Sequence, residues 1–179
     1  MVTKRLLQIG VIGSACSNEV SANIQRLAKQ VGKEIADHGH ILMFGFEGDQ
    51  ESISEIAATA ALDKGGTTVS FTHNMSTKIH AHSICVNTGM MRGGGREFPF
   101  VISCDGIISI GGGSGTLGEI AIAYQHAIPV VVIKNSGGWS EKLTSTFLDE
   151  RKRIKIFSAE TPKDAVTLIQ NIVKKKNTI

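Results

Sequence analysis

The 179-residue sequence has few features of disulfide-bonded or membrane-spanning proteins. Its three cysteines form no CxxC pair, and an odd number does not suit a disulfide framework. No apolar run approaches the ~18 residues that a membrane span requires. Residues 6–12 are too short for the core of a signal peptide, so we interpret them as part of a first strand. These absences predict a cytoplasmic protein with reduced thiols and no membrane partner.

The sequence also carries little net charge, +3 from 19 basic and 16 acidic residues. Much of the excess lies in two late clusters, Arg151-Lys152-Arg153 and Lys174-Lys175-Lys176. No aromatic residue is interleaved with these clusters to stack on bases, so we interpret them as a solvated face and a frayed tail. The alternative, a nucleic-acid surface, is the less favoured interpretation, and we predict no nucleic-acid partner.

Strand-like and helix-like segments alternate along the chain. Apolar runs typical of buried strands cover residues 6–13, 41–44, 67–71, 84–87, 106–110, 130–133 and 154–157. Helical spacing predicts helices over residues 24–35, 52–64, 97–104, 115–126 and 140–148. A last helix begins after Thr161, with a capping hydroxyl and Pro162 at the first helical position. Residues 73–82 fit neither pattern and are predicted to be a loop.

This alternation predicts an α/β fold, with residues 1–179 forming a single nucleotide-binding Rossmann-like domain. The sheet is expected to be parallel and doubly wound, with helices on both faces. Ligands of such sheets bind beyond the carboxyl ends of the strands. That rule marks four loops, at residues 13–18, 45–51, from 72 onward, and 111–116.

The strongest motif is an apolar strand that enters a glycine loop from which a helix leaves, at residues 107–119. Glycines accept positive φ angles and let the backbone approach a ligand closely. The free N–H groups and the dipole at a helix start attract anions, phosphate above all. The predicted phosphate or nucleotide contacts are Gly13, Ser14, Gly112, Gly113, Ser114, Gly115 and Thr116. The alternative is a tight strand-to-helix turn that binds nothing.

Two related motifs do not fit the spacing. A Walker loop needs a lysine after its last glycine, where this chain has Thr116. A dinucleotide fingerprint would follow the first strand, whereas this glycine loop comes late in the chain.

Two kinds of charged residue accompany the loop. Glu119 lies one helical turn after Thr116 and so returns to the loop's side of the helix. A carboxylate there suits a sugar hydroxyl, a water or a developing positive charge better than a phosphate; an ordinary surface glutamate is the alternative. Arg92 and Arg96 flank three glycines, and their planar guanidinium groups suit phosphate or a base edge. Solvated arginines in a flexible loop are the alternative.

A histidine-rich stretch is the one candidate for a metal site. His73, His80, His82 and Cys85 fall within thirteen positions, but their spacing matches no tetrahedral signature. We therefore predict no metal and no required cofactor, and a nucleotide or another phosphorylated molecule as ligand.

At these residues the chain resembles the LONELY GUY family, long labelled lysine decarboxylase-like, whose motif is PGGxGTxxE. Gly111 stands at the proline position, and the other motif positions match. Arg96 falls at the family's upstream arginine, and Asp105 at an aspartate before the intervening strand. The resemblance extends from Leu6 to about Ile133. The chain is closer to the branch that contains molybdenum-cofactor carrier proteins.

The resemblance implies a homodimer and hydrolysis of a nucleoside 5′-monophosphate to free base and ribose 5-phosphate. Arg96 and Glu119 would then be the catalytic residues. One loop departs from the family, because Glu47, Asp49 and Glu51 replace a neutral wall and would repel a nearby phosphate. That departure favours the alternative, a non-catalytic carrier or sensor of a phosphorylated cofactor.

Overall fold

The computed structural model describes residues 5–14, 20–46, 48, 52–73, 80 and 82–176. The strands of this part are β1 Gln8–Gly13, β2 Ile41–Gly45, β3 Thr67–Thr72, β4 Ile84–Asn87, β5 Gly106–Ile110, β6 Val130–Ile133 and β7 Phe157–Ala159. The helices are α1 Ala22–Asp37, α2 Ile53–Leu62, α3 Glu97–Ile102, α4 Ser114–Gln125, α5 Gly138–Lys142 and α6 Pro162–Lys176. None of these described helices has the length and apolar character needed to cross a membrane.

All seven strands are parallel and form one sheet in the order β4-β3-β2-β1-β5-β6-β7. Helices α1, α2 and α6 cover one face, and α3, α4 and α5 cover the other. Each face has its own hydrophobic cluster against the sheet. The predicted single-domain, doubly wound α/β fold is confirmed.

The burial of the strands follows from this order. Every residue of β5 and β6 is buried, as expected for inner strands that helices cover on both faces. At the edge of the sheet, β4 exposes Ile84 and Val86. The apolar content of β5 therefore holds the start of the glycine loop rigidly at the centre of the sheet.

The start of α6 agrees with the sequence prediction. The Thr161 hydroxyl accepts a hydrogen bond from the Asp164 amide at 3.2 Å, and Pro162 is the first helical residue.

Two late elements differ from the prediction. The helix expected over residues 140–148 is shorter and earlier, from Gly138 to Lys142, and the strand expected over 154–157 is Phe157–Ala159. Ser145 and Lys152 adopt positive φ angles of 57° and 46°, which a helix cannot accommodate. The Ile156 amide donates to the Thr146 carbonyl at 2.8 Å, so the chain is tied to this turn before it joins the sheet.

Candidate functional site

The site lies where the chain changes direction across the sheet. β1 and β5 are neighbours, but the chain continues from β1 toward β2 on one side and from β5 toward β6 on the other. A crevice opens beyond the carboxyl ends of strands at such a point. Here it is a cavity of about 310 Å³, lined by the loops after β1, β2 and β5 and by the segment that precedes α3. Its volume is near the lower limit of ordinary small-molecule sites.

The glycine turn after β5 requires glycine at two positions. Gly111 and Gly112 have φ angles of 65° and 100°, which side-chain-bearing residues rarely adopt. A Cβ atom at Gly112 would also lie only 2.5 Å from the Cβ atom of Thr116. Glycine at these positions therefore lets the start of α4 approach the preceding backbone more closely than a residue with a side chain would allow.

Neighbouring serines hold this turn in place. The Gly112 amide donates to the Ser14 hydroxyl at 3.0 Å, and the Gly111 amide donates to the Ser136 hydroxyl, also at 3.0 Å. The Trp139 amide donates to the Gly112 carbonyl at 3.0 Å. The Gly112 amide, which the sequence suggested as a phosphate donor, is thus already used within the protein. Ser14 supplies its acceptor while also lining the cavity.

The start of α4, in contrast, keeps its donors. Gly113 is the N-cap residue and provides no side-chain cap, and the first hydrogen bond of the helix runs from the Leu117 amide to the Gly113 carbonyl at 3.1 Å. The amides of Ser114, Gly115 and Thr116 precede that bond and have no acceptor within the helix. These three residues line the cavity.

Open space adjoins the first turn of α4. A Cβ atom at Gly113 or Gly115 would meet no heavy atom within 4 Å. The Thr116 side chain points the other way, since its hydroxyl donates to the Gly13 carbonyl at 3.1 Å. The Thr116 hydroxyl therefore joins α4 to β1, and only the backbone amide of this residue is left for a ligand.

The start of α2 forms the opposite wall and is capped. The Ser52 hydroxyl accepts from the Glu55 amide at 3.2 Å, and the Glu55 carboxylate accepts from the Ser52 amide at 2.8 Å. The Ile53 amide donates to the Ser14 carbonyl at 3.1 Å. Three of the first four amides of α2 are therefore satisfied within the protein, and the Ser54 hydroxyl bonds to Ser52 at 2.9 Å.

Arg96 is buried beside the cavity and is held from several sides. One guanidinium nitrogen, Nη1, donates to the Phe46 carbonyl at 3.1 Å, and Nη2 lies 3.7 Å from the Glu97 carboxylate. The guanidinium also packs on the bare face of Gly45, where a Cβ atom would lie 2.9 Å from Nη2. Glycine at the end of β2 is therefore what makes room for this arginine.

Glu119 lies on α4 and lines the same cavity, half-buried. Burial is the main cause that raises the pKa of its carboxyl, which reaches about 8. The negative charge of Glu97 also raises this pKa, whereas the positive charges of Arg96 and Arg92 lower it. A carboxyl with this pKa retains its proton at neutral pH. It can therefore donate a hydrogen bond, and it does not repel an anion bound nearby.

The structure gathers most of the residues that the sequence singled out. Seven of them line one cavity: Gly13, Ser14, Gly113, Ser114, Gly115, Thr116 and Glu119. Arg96 also lines the cavity. Gly112 does not line it, and its amide is bonded to Ser14. Arg92, which the sequence also singled out, lines the cavity as well. Four further polar lining residues were missed: Ser52, Ser54, Glu55 and Glu97. The Ser-x-x-Glu spacing of Ser52 and Glu55 is typical of a capping box and could have predicted the capped start of α2 that lines the cavity.

Two other predictions concern acids and histidines. The acidic residues Glu47, Asp49 and Glu51 lie outside the described residues. Among the residues that the structure does describe, no three His, Cys, Asp or Glu side chains are grouped as a metal site requires. His80 hydrogen-bonds instead to the hydroxyls of Ser83, at 2.9 Å, and Thr59, at 3.1 Å.

The fold and cavity define a Rossmann-like α/β protein with an uncapped helix start at the crevice of its sheet. The chain belongs to the SLOG cluster4 family, whose model matches residues 6–166. A relative from Archaeoglobus fulgidus, described as an uncharacterized protein, is 37% identical over 131 residues, which are 73% of this chain and 82% of that protein.

Solved structures show the same fold. The X-ray structure of TM1055 is similar with a TM-score of 0.82 at 24% identity, covering 93% of this chain and 99% of that one. The molybdenum cofactor carrier protein MCP from Chlamydomonas reinhardtii is similar with a TM-score of 0.78 at 26% identity, covering 94% and 99%. The resemblance read from the glycine motif, and the closeness to the carrier branch, are thereby confirmed.

Proposed function

We propose that this chain binds the phosphoryl group of a nucleotide-sized ligand in the cavity beyond the carboxyl ends of β1 and β5. The observation that carries the proposal is the start of α4, where the amides of Ser114, Gly115 and Thr116 have no acceptor within the helix and their residues line the cavity. Uncompensated N–H groups and the helix dipole together favour an anion. The modest volume of the cavity suits a mononucleotide rather than a dinucleotide.

The activity that these residues would support is hydrolysis of the N-glycosidic bond of a nucleoside 5′-monophosphate. The raised pKa of Glu119 makes its carboxyl a general acid that could protonate the departing base. Arg96 lies close enough to oppose the rise in that pKa, and so would stabilise the carboxylate left behind. Water would add to the sugar carbon as the bond to the base breaks, and the proton that this water loses would return to the Glu119 carboxylate.

A carrier of a phosphorylated cofactor is the second candidate. Likeness to a molybdenum cofactor carrier protein over almost the whole chain supports it. The same helix start would hold the phosphoryl group of such a cofactor, and Glu119 would adjust affinity instead of catalysing a reaction. In this role neither the wild type nor any variant would release a base.

One experiment separates the two candidates. The purified protein is incubated with a panel of nucleoside monophosphates while free base is measured, and co-purifying molecules are identified by mass spectrometry. For a hydrolase, Glu119→Gln should lower turnover by roughly a hundredfold, typical for loss of one acid–base group, while phosphate binding persists. Base release that is undiminished in this variant would remove Glu119 from the mechanism.

We also propose that the chain forms a homodimer in the cytoplasm. Several large apolar side chains are exposed on β4 and around α3, namely Ile84, Met91, Phe98 and Ile102. Exposed apolar surface of this kind is typical of protein–protein contacts. Light scattering should give the dimer mass, and Phe98→Glu should shift it toward the monomer. A monomer mass for the wild type at micromolar concentration would contradict the proposal.

A further inference from the structure

Two arginines lie at the cavity, and they differ in how many contacts their guanidinium groups make within the protein. The guanidinium of Arg96 is buried, bonded to the Phe46 carbonyl, paired with Glu97 and packed on Gly45. Moving it toward a ligand would break these contacts within the protein. Arg96 is therefore suited to shape the cavity wall and its electrostatic potential. It is poorly suited to move into direct contact with a ligand.

Arg92 has the opposite character. Its side chain is exposed and lines the same cavity, and its charge lowers the pKa of Glu119. Among the described residues, none accepts a hydrogen bond from its guanidinium or forms an ion pair with it. Within the part of the chain that the structure describes, all five of its N–H donors are thus available to a bound molecule.

The backbone around Arg92 is nevertheless held in place. The Gly94 amide donates to the Met91 carbonyl at 2.9 Å, which closes a turn with Arg92 at its second position. The Glu97 carboxylate accepts from the Gly93 amide at 2.9 Å and also lies beside Arg96. Glu97 therefore ties the turn that carries Arg92 to the buried arginine, so that the two keep a fixed relation.

We infer that Arg92 is the arginine that contacts the ligand's phosphoryl group, which the amides at the start of α4 hold from the other side. Arg96 is a positioning residue that acts through Glu97 and Glu119. The inference rests on the proposed function and adds to it the side chain that recognises the anion. A guanidinium suits this task because its planar fork can donate two parallel hydrogen bonds to phosphate oxygens.

The test is calorimetric titration of Arg92→Ala, Arg92→Lys and wild type with inorganic phosphate, ribose 5-phosphate and AMP. Loss of a hydrogen-bonded charge should weaken binding of all three by roughly tenfold to a hundredfold in Arg92→Ala. The affinity of Arg92→Lys should lie between those of wild type and Arg92→Ala, since lysine keeps the charge and lacks the planar fork of donors. The matched control is Arg5→Ala, which removes an exposed arginine paired with Asp105 at the amino ends of β1 and β5, away from the cavity.

Adenosine and the melting temperature complete the experiment. Neither Arg92 variant should alter the melting temperature of the ligand-free protein or any affinity for adenosine, because Arg92 is exposed and adenosine has no phosphate. Arg92→Ala that binds phosphate and AMP as the wild type does would overturn the inference, as would a loss confined to adenosine. Wild type that binds none of the phosphorylated ligands would refute the proposed function itself, and the inference with it.

Discussion

Two helices begin at the same cavity, and their first turns are built in opposite ways. At the start of α2, Ser52 and Glu55 satisfy each other's amides in a capping box. At the start of α4, Gly113 caps nothing, and glycine follows again at position 115. A capping side chain stabilises a helix by about 1 kcal/mol relative to alanine and by a few tenths relative to glycine, while a glycine within a helix costs about 1 kcal/mol relative to alanine. The start of α2 is thus the more stabilised of the two.

The difference shows where an anion belongs. The α2 wall keeps three of its first four amides occupied and presents hydroxyl and carboxylate groups, which suit the hydroxyl groups of a ligand. The α4 wall keeps its donors free and leaves empty space where side chains at Gly113 and Gly115 would stand. Packing does not require glycine at either position, so we attribute them to close approach of a ligand. The structure offers no physical reason for the glycine at position 118.

The largest expected effect comes from giving α4 the cap that it lacks. Gly113→Asp should leave the fold intact or slightly stabilised, since aspartate is a favoured N-cap and open space surrounds the position. The same carboxylate would stand where the phosphoryl group binds. Repulsion of about 4 kcal/mol, typical of unit charges ~4 Å apart near a protein surface, should weaken phosphate binding roughly a thousandfold. Titration calorimetry and the melting temperature measure both effects.

Gly118→Ala is the matched control on the same helix. It lies outside the cavity lining, and a Cβ atom there would meet nothing within 4 Å. It should stabilise the protein by up to about 1 kcal/mol without changing phosphate affinity. If both variants lost affinity equally, the effect would belong to helix stability and the contrast between the two walls would fail.

A smaller effect concerns the proton on Glu119. Its pKa is raised in the folded protein to about 8, from an ordinary value of about 4.3. Between these values the unfolded chain loses the proton that the folded protein keeps, so wild-type stability falls as pH rises toward 8. The full shift corresponds to about 5 kcal/mol, which solvent screening of this half-buried carboxyl reduces. Glu119→Gln lacks the loss and should therefore be more stable than wild type by about 2 kcal/mol above that pH. Toward pH ~4 the gain should vanish.

Urea denaturation of both proteins across this pH range is the measurement. The difference between their free energies of unfolding isolates the group from all other titrations. A difference that stays constant with pH would show that Glu119 titrates normally, and would remove the general-acid role along with it.

The smallest effect is expected at the other wall. Ser52→Ala removes the hydroxyl that accepts from the Glu55 amide and should cost about 1 kcal/mol of stability. Phosphate affinity should not change, because α2 is not the helix that holds the anion. A loss of affinity as large as the one predicted for Gly113→Asp would reverse the assignment of the two walls.

Much of the fold was predictable because its signals are local. Apolar runs as short as that of β6 mark strands buried on both faces, and the glycine turn after β5 has backbone requirements that only glycine meets. The segment between α5 and β7 was not predictable in the same way. There the hydrogen bond between Ile156 and Thr146, rather than the apolar pattern, determines where the strand begins.

The site was predictable in its residues and less so in their roles. Sequence placed Arg96 and Glu119 at the site, but the burial of Arg96 depends on Gly45 and Phe46 from a distant part of the chain. The raised pKa of Glu119 depends on burial of its carboxyl and on the charges of Arg96, Glu97 and Arg92. Likewise, nothing local shows that Ser14 occupies the Gly112 amide, since 98 residues separate the two.

Amide NMR shows whether the anion binds at the start of α4. Titration of the labelled protein with ribose 5-phosphate should shift the amide signals of Ser114, Gly115 and Thr116 strongly and saturably. The signals of Ile53 and Glu55, whose amides already have acceptors, should move little. Saturable shifts at α2 with none at α4, or none at either helix, would contradict the account.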